Sequence, residues 1–184
     1  MSETTTPICE YGTKIVPFNL KCTNDKIWNI DNAKGERGIL VFFICNHCPF
    51  VKAILPKLVR VTNTLLDYGI QSIGIMSNDV QDYPEDSYEN MKKIAIKNKF
   101  SFPYVIDETQ DIAKKFGAVC TPDFCGYNSS LELQYRGRLD ATRMTMTNND
   151  LEPELLNAMI EIAQTGKGPA EQIPSVGCSI KWKK

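Results

Sequence analysis

The chain has 184 residues, with 21 lysines and arginines against 22 aspartates and glutamates, for a formal net charge of -1. That length suits one domain with a core of its own, and the balanced charge excludes the strongly basic surface of a nucleic-acid or anionic-membrane binder. Seven cysteines is an odd number for a disulfide framework. The start is polar and threonine-rich and no apolar run reaches membrane-spanning length, so the expected setting is a reducing cytoplasm with no membrane partner.

Residues 1–11 carry no pattern and are expected to be flexible. Ile15 to Asn32 alternates weakly and is broken by Asn24 and Asp25, which predicts a short hairpin. Gly38-Ile39-Leu40-Val41-Phe42-Phe43-Ile44 is an unbroken apolar run and predicts a strand buried on both faces. From Phe50 to Leu66 apolar residues recur at helical spacing, with Pro56 inside as an expected kink. Ile70 to Met76 reads as a strand, Pro84 to Asn98 as a helix, Tyr104 to Asp107 as a strand, and Asp111 to Phe116 as a short helix ended by Gly117. Alternating units of this kind imply a parallel core. Asp123 to Tyr127 and Leu133 to Arg138 predict an antiparallel hairpin, Leu151 to Gln164 an amphipathic helix, and residues 166–184 an irregular tail.

Chemistry concentrates at Cys45-Asn46-His47-Cys48, between the buried strand and the long helix. A first cysteine at a helix N-terminus meets unpaired N–H groups and the positive end of the dipole, which stabilise a thiolate. Cys45 is thus the expected nucleophile, and Cys48, one turn later, would resolve a mixed disulfide formed on it. His47, the only histidine, would add positive charge beside the thiolate when protonated. A metal site is the competing reading, with Cys120 and Cys125 completing four thiolates around Cys45 and Cys48. Cys120 and Cys178 are candidate auxiliary thiols, whereas Cys9 and Cys22 have no arguable partner. Asp79, Asp82, Glu85 and Asp86 read as a solvated loop and helix start, and Trp28, Ile180 and Trp182 as packing residues. No dinucleotide or phosphate-cradling glycine motif is present, so no cofactor is expected and electrons would come from a protein or small-molecule thiol.

Several strings in fixed order, Phe43 to Lys52, Ser77-Asn78-Asp79, Tyr83 to Ser87, Thr121-Pro122-Asp123-Phe124, Tyr135 to Asp140 and Gly177 to Trp182, resemble the peroxiredoxin-like branch of the AhpC/TSA and thioredoxin-like proteins. The resemblance implies an α/β thioredoxin fold with an N-terminal β-hairpin extension and a mixed central sheet flanked by helices. It implies that Pro122 is a cis proline facing the active cysteines, in a groove shared with Asn46, Pro49 and Thr121. Thiol-disulfide exchange is the expected activity. The resemblance also raises peroxidase chemistry, with peroxide as substrate, Cys48 attacking and Cys45 resolving. Against that, Cys45 and Val41 stand where peroxiredoxins carry a hydroxyl residue and a proline. A peroxide-polarising arginine would have to be Arg136, Arg138 or Arg143.

Overall fold

A computed structural model describes residues 3–142 and 151–184. Its centre is β4 (Gly38–Phe43), whose six residues are all buried. Because side chains alternate across a strand, Leu40 and Phe42 enter one core and Ile39, Val41 and Phe43 the other. A strand apolar on both faces has to be covered on both, which places it in the middle of a layered α/β structure.

Parallel pairing joins β4 to β5 (Ile70–Met76) and β5 to β6 (Tyr104–Ile106), while β8 (Asp123–Asn128) runs antiparallel on the other side of β4 and continues into β9 (Leu133–Gly137). The hairpin of β2 (Asn19–Cys22) and β3 (Ile27–Asn29) joins the far edge through β6. The seven-stranded order is β3-β2-β6-β5-β4-β8-β9. The predicted hairpin extension is therefore part of the main sheet, and a four-residue helix α1 (Ile30–Ala33) closes it with a reciprocal Asn29–Asn32 cap.

Helix α2 (Pro49–Leu66) lays Val51, Ile54, Leu55, Leu58, Val61 and Leu65 against one core. Six such side chains contribute on the order of 10 kcal/mol in gross transfer free energy. Pro56 lies within α2 without ending it. On the same face α5 (Glu154–Thr165) buries Leu155, Ala158, Met159 and Ile162. The short α4 (Asp111–Lys115) covers the opposite face through Ala113.

Two predicted segments differ. The helix expected from Pro84 to Asn98 is split into a 3-10 turn, Pro84–Asp86, and α3 (Tyr88–Lys97), because Ser87 is extended. The tail expected to be irregular contains β10 (Val176–Ser179), which pairs with β1 (Glu3–Thr5) on one side and β7 (Cys120–Thr121) on the other. The start of the chain, expected to be flexible, is thus a strand pairing Glu3 with Cys178. Neither segment has enough apolar pattern to declare itself, since each is a strand only by virtue of a partner far along the chain. Ile180 is buried as expected, whereas Trp182 is 40% exposed.

Candidate functional site

The chain leaves β4, Ile44 donates its N–H to the Ile75 carbonyl at 3.0 Å, and the backbone then turns through Cys45, Asn46 and His47 before α2 begins at Pro49. Proline suits the first helical position, where no N–H partner exists to be lost. Cys48, not Cys45, is consequently the N-cap residue of α2. This corrects the expectation that the first cysteine sits at the helix terminus: Pro49 starts the helix three residues later than the motif suggested.

Both cysteines are buried, Cys45 at 2% and Cys48 at 0% exposure. The peptide bond Thr121-Pro122 is cis, and Thr121 spans both sulfurs. Its Oγ1 lies 3.4 Å from Cys45 Sγ, and its carbonyl oxygen stands 3.3 Å from Cys48 Sγ, from which it accepts while that thiol is protonated. Cys178 stands directly opposite Thr121 in the β10–β7 ladder, in the same buried cluster as Cys45 and Cys48. The donors around Cys48 divide the pair. The hydrogen bond from the Cys45 thiol is the main influence pushing Cys48 down to about 5, against burial, and Cys178 together with the Val51 N–H adds to it. Cys45 moves up, because the same hydrogen bond holds its proton and because burial and the Asp86 charge disfavour its thiolate. Burial pushes Cys120 and Cys178 up to about 12.

The acidic loop proves not to be a uniformly solvated one. Asp86 is fully buried, and Oδ1 accepts the N–H groups of Asn46 and His47 at 2.7 and 3.2 Å. Its Oδ2 meets His47 Nδ1 at 2.7 Å and accepts from Asn78 Nδ2 at 2.8 Å. Asp86 therefore shapes the loop between the two cysteines, a role that the broken helix makes possible and that the acidic character of the segment concealed. Asp79 is also buried, taking the Gln81 N–H at 3.0 Å, while Asp82 and Glu85 are exposed. Asn46 is fixed further by Tyr104 Oη, which donates to Asn46 Oδ1 at 3.0 Å. The imidazole of His47 stacks on Tyr83 at 5.2 Å, and its Nε2 is buried without a partner among the described residues.

Cys45 and Asn46 floor a cavity of about 250 Å³ between α2 and α3, walled by Val51, Leu55, Ile94 and Phe100. Pro122 lines a separate cavity of about 450 Å³ with Phe50 and Ile54. Pro49 lines neither cavity.

The four-thiolate metal arrangement is not assembled, because Cys125 packs in the core on the opposite face of the sheet from Cys45 and Cys48. Among the described residues, the one group with ligand atoms within 4.8 Å of one another is Cys45, His47 and Asp86. There Asp86 is already engaged by four donors. Arg136 is committed to Asp123 at 2.7 Å and to the Phe116 and Gly117 carbonyls, and Arg138 to Glu154 at 2.6 Å. Arg143 lies outside the described residues. Among those residues, no helix is long and apolar enough to cross a membrane.

A mixed sheet carrying paired thiols ahead of a helix, with a cis proline strand beside them, defines a thioredoxin-fold protein. The match of the AhpC/TSA family to residues 11–142 makes the identification specific: the chain belongs to that family. It is similar to an uncharacterised conserved protein from Geobacillus kaustophilus, 39% identical over 100% of this chain and 97% of that one, with a TM-score of 0.92. It is likewise similar to a hypothetical protein from Sinorhizobium meliloti 1021, 32% identical over 98% of each chain, with a TM-score of 0.91. A thiol:disulfide interchange protein of the thioredoxin family from Chlorobium tepidum TLS shares the fold at 19% identity, over 68% of this chain and 84% of that one, with a TM-score of 0.57. No curated protein matches the chain. Family and fold together support thiol redox chemistry in general.

Proposed function

We propose that the protein is a thiol-disulfide oxidoreductase in which Cys45 attacks and Cys48 resolves. The observation that carries this reading is the division of labour between the two sulfurs. Cys45 opens onto the 250 Å³ cavity, whereas Cys48 is sealed behind it and is the better-stabilised anion. The pair shares one proton. As Cys45 attacks a substrate disulfide, its proton passes to the Cys48 thiolate and the first substrate thiolate departs. That thiolate then takes the proton from Cys48. The regenerated Cys48 thiolate attacks the Cys45 sulfur, closes the Cys45–Cys48 disulfide and releases the second substrate thiolate, so that two thiols are oxidised for one disulfide reduced. Thr121 Oγ1 is placed to steady Cys45 as it loses its proton, Pro122 shapes the strand beside the pair, and Asp86 positions His47 and the loop.

A second reading, a thiol peroxidase attacking through Cys48, draws on that residue's lowered pKa at the head of α2. The commitment of Arg136 and Arg138 to other partners weighs against it. Stopped-flow mixing of fully reduced protein with a small disulfide, and separately with hydrogen peroxide, tests the choice. The exchange reading predicts fast disulfide reduction and peroxide oxidation no faster than that of a free thiol. Peroxide oxidation faster by orders of magnitude would transfer the first attack to Cys48 and overturn the proposal.

A further inference from the structure

Most contacts at the site are accounted for by the CxxC pair, the Asp86 network and Thr121, but one thiol is left over. Cys178 is 3% exposed and lies in β10 opposite Thr121, whose carbonyl oxygen stands 3.3 Å from the sulfur of Cys48, and both cysteines belong to one buried cluster. Its strand is held on both edges, Glu3 pairing with Cys178 from β1 and Thr121 from β7. Gly177 presses so closely on the Thr121 carbonyl that a Cβ there would stand 2.0 Å from it. The thiol is therefore a fixed neighbour of Cys48 rather than part of a mobile tail, and needs no local unfolding to reach it. Cys120 differs: it pairs with Ser179 one step along the ladder.

We propose that Cys178 is a third redox thiol, which exchanges with the Cys45–Cys48 disulfide by attacking Cys48. This rests on the dithiol reading above. In the step, the Cys178 sulfur bonds to Cys48 Sγ and the Cys45–Cys48 bond breaks. Cys45 leaves as thiolate and takes up the proton that Cys178 gives up. One disulfide is lost and one gained, so no oxidant or reductant enters. The oxidised pair then lies behind β10, and Cys45 stands reduced at its cavity, free to engage a further substrate disulfide. Such exchange requires the thiol to reach the disulfide sulfur, and Thr121, paired with Cys178 in the ladder and 3.3 Å through its carbonyl from Cys48 Sγ, holds the two side by side.

The test uses the full chain, fully reduced and then oxidised with one equivalent of diamide, alkylated and digested for mass spectrometry of linked peptides. Wild type is expected to yield both Cys45–Cys48 and Cys48–Cys178 links, Cys178→Ser only the first, and Cys45→Ser only the second. Wild type that forms the Cys45–Cys48 link without the Cys48–Cys178 link overturns the proposal and leaves the dithiol reading intact. Wild type in which neither link forms overturns the dithiol reading itself. Because the links formed by wild type alone separate these outcomes, misfolding of a variant does not blunt the experiment.

Discussion

Replacing Asp86 by Asn keeps the shape of a fully buried side chain and removes its charge. One oxygen can still accept from the Asn46 and His47 backbone, but the new amide group faces the Asn78 Nδ2 donor at 2.8 Å, and the charge-assisted contact with His47 Nδ1 at 2.7 Å becomes a neutral one that needs the other ring tautomer. Two hydrogen bonds to a charged group are worth about 3–6 kcal/mol together, partly offset because a carboxylate no longer has to be buried. A net loss of about 2–4 kcal/mol would lower Tm by roughly 5–15 °C in a protein of this size. The second consequence has the opposite sign. Asp86 lies within 4.8 Å of the Cys45 sulfur and disfavours its thiolate. At an effective dielectric of about 20 that repulsion is worth about 3.5 kcal/mol. Removing it raises the Cys45 thiolate population, and the lower nucleophilicity of a less basic thiolate cancels about half the gain, leaving roughly twentyfold faster disulfide exchange at pH 7. Thermal melts and the pH profile of single-turnover exchange read the two effects separately. An Asp86→Asn protein that melts lower yet keeps the wild-type pH profile would reduce Asp86 to a structural residue. An unchanged Tm would refute the network argument outright.

In the reduced protein, thiolate absorbance near 240 nm should titrate at about pH 5, and Cys45→Ala should move that titration upward by removing the main donor to Cys48. Because the folded pKa of Cys48 lies below its ordinary value of 9.0, reduced wild type should gain stability as pH rises from about 5 to 9. Cys48→Ala should flatten that rise in melts across the range. Arg136→Met leaves the fully buried Asp123 without its 2.7 Å partner and should cost about 3–5 kcal/mol by chemical denaturation, with the double variant Arg136→Met and Asp123→Leu recovering most of it. Gly177→Ala puts a Cβ 2.0 Å from the Thr121 carbonyl and 3.0 Å from Pro122 N. It should cost about 1–3 kcal/mol and diminish the yield of the Cys48–Cys178 link; a wild-type melt and yield would contradict the close packing of β10 on β7.

The alternation of sides along β4 and the helical spacing of Val51, Ile54, Leu55, Leu58 and Leu65 are local properties, because burial of a strand or helix face imposes its period on neighbouring residues. The sequence by itself therefore determined the α/β class, the position of the cysteine pair between strand and helix, and the proline strand that would sit beside it. It could not determine where α2 begins. Reading Cys45 as the helix terminus treated the whole motif as helical, whereas Asp86, nearly forty residues on, takes the N–H groups of Asn46 and His47 and holds them outside the helix. Nor could it show that the two ends of the chain pair with each other, since β1 and β10 are short strands with little apolar pattern and acquire their structure from contacts some 170 residues apart. Only the tertiary structure decided that Asp86 is buried, that Cys125 lies across the sheet from Cys45 and Cys48, and that Cys178 stands opposite Thr121 in the same cluster as Cys48. Each depends on which distant segments meet, and hydrogen bonds and thiol contacts of that range leave no period in the sequence to be read.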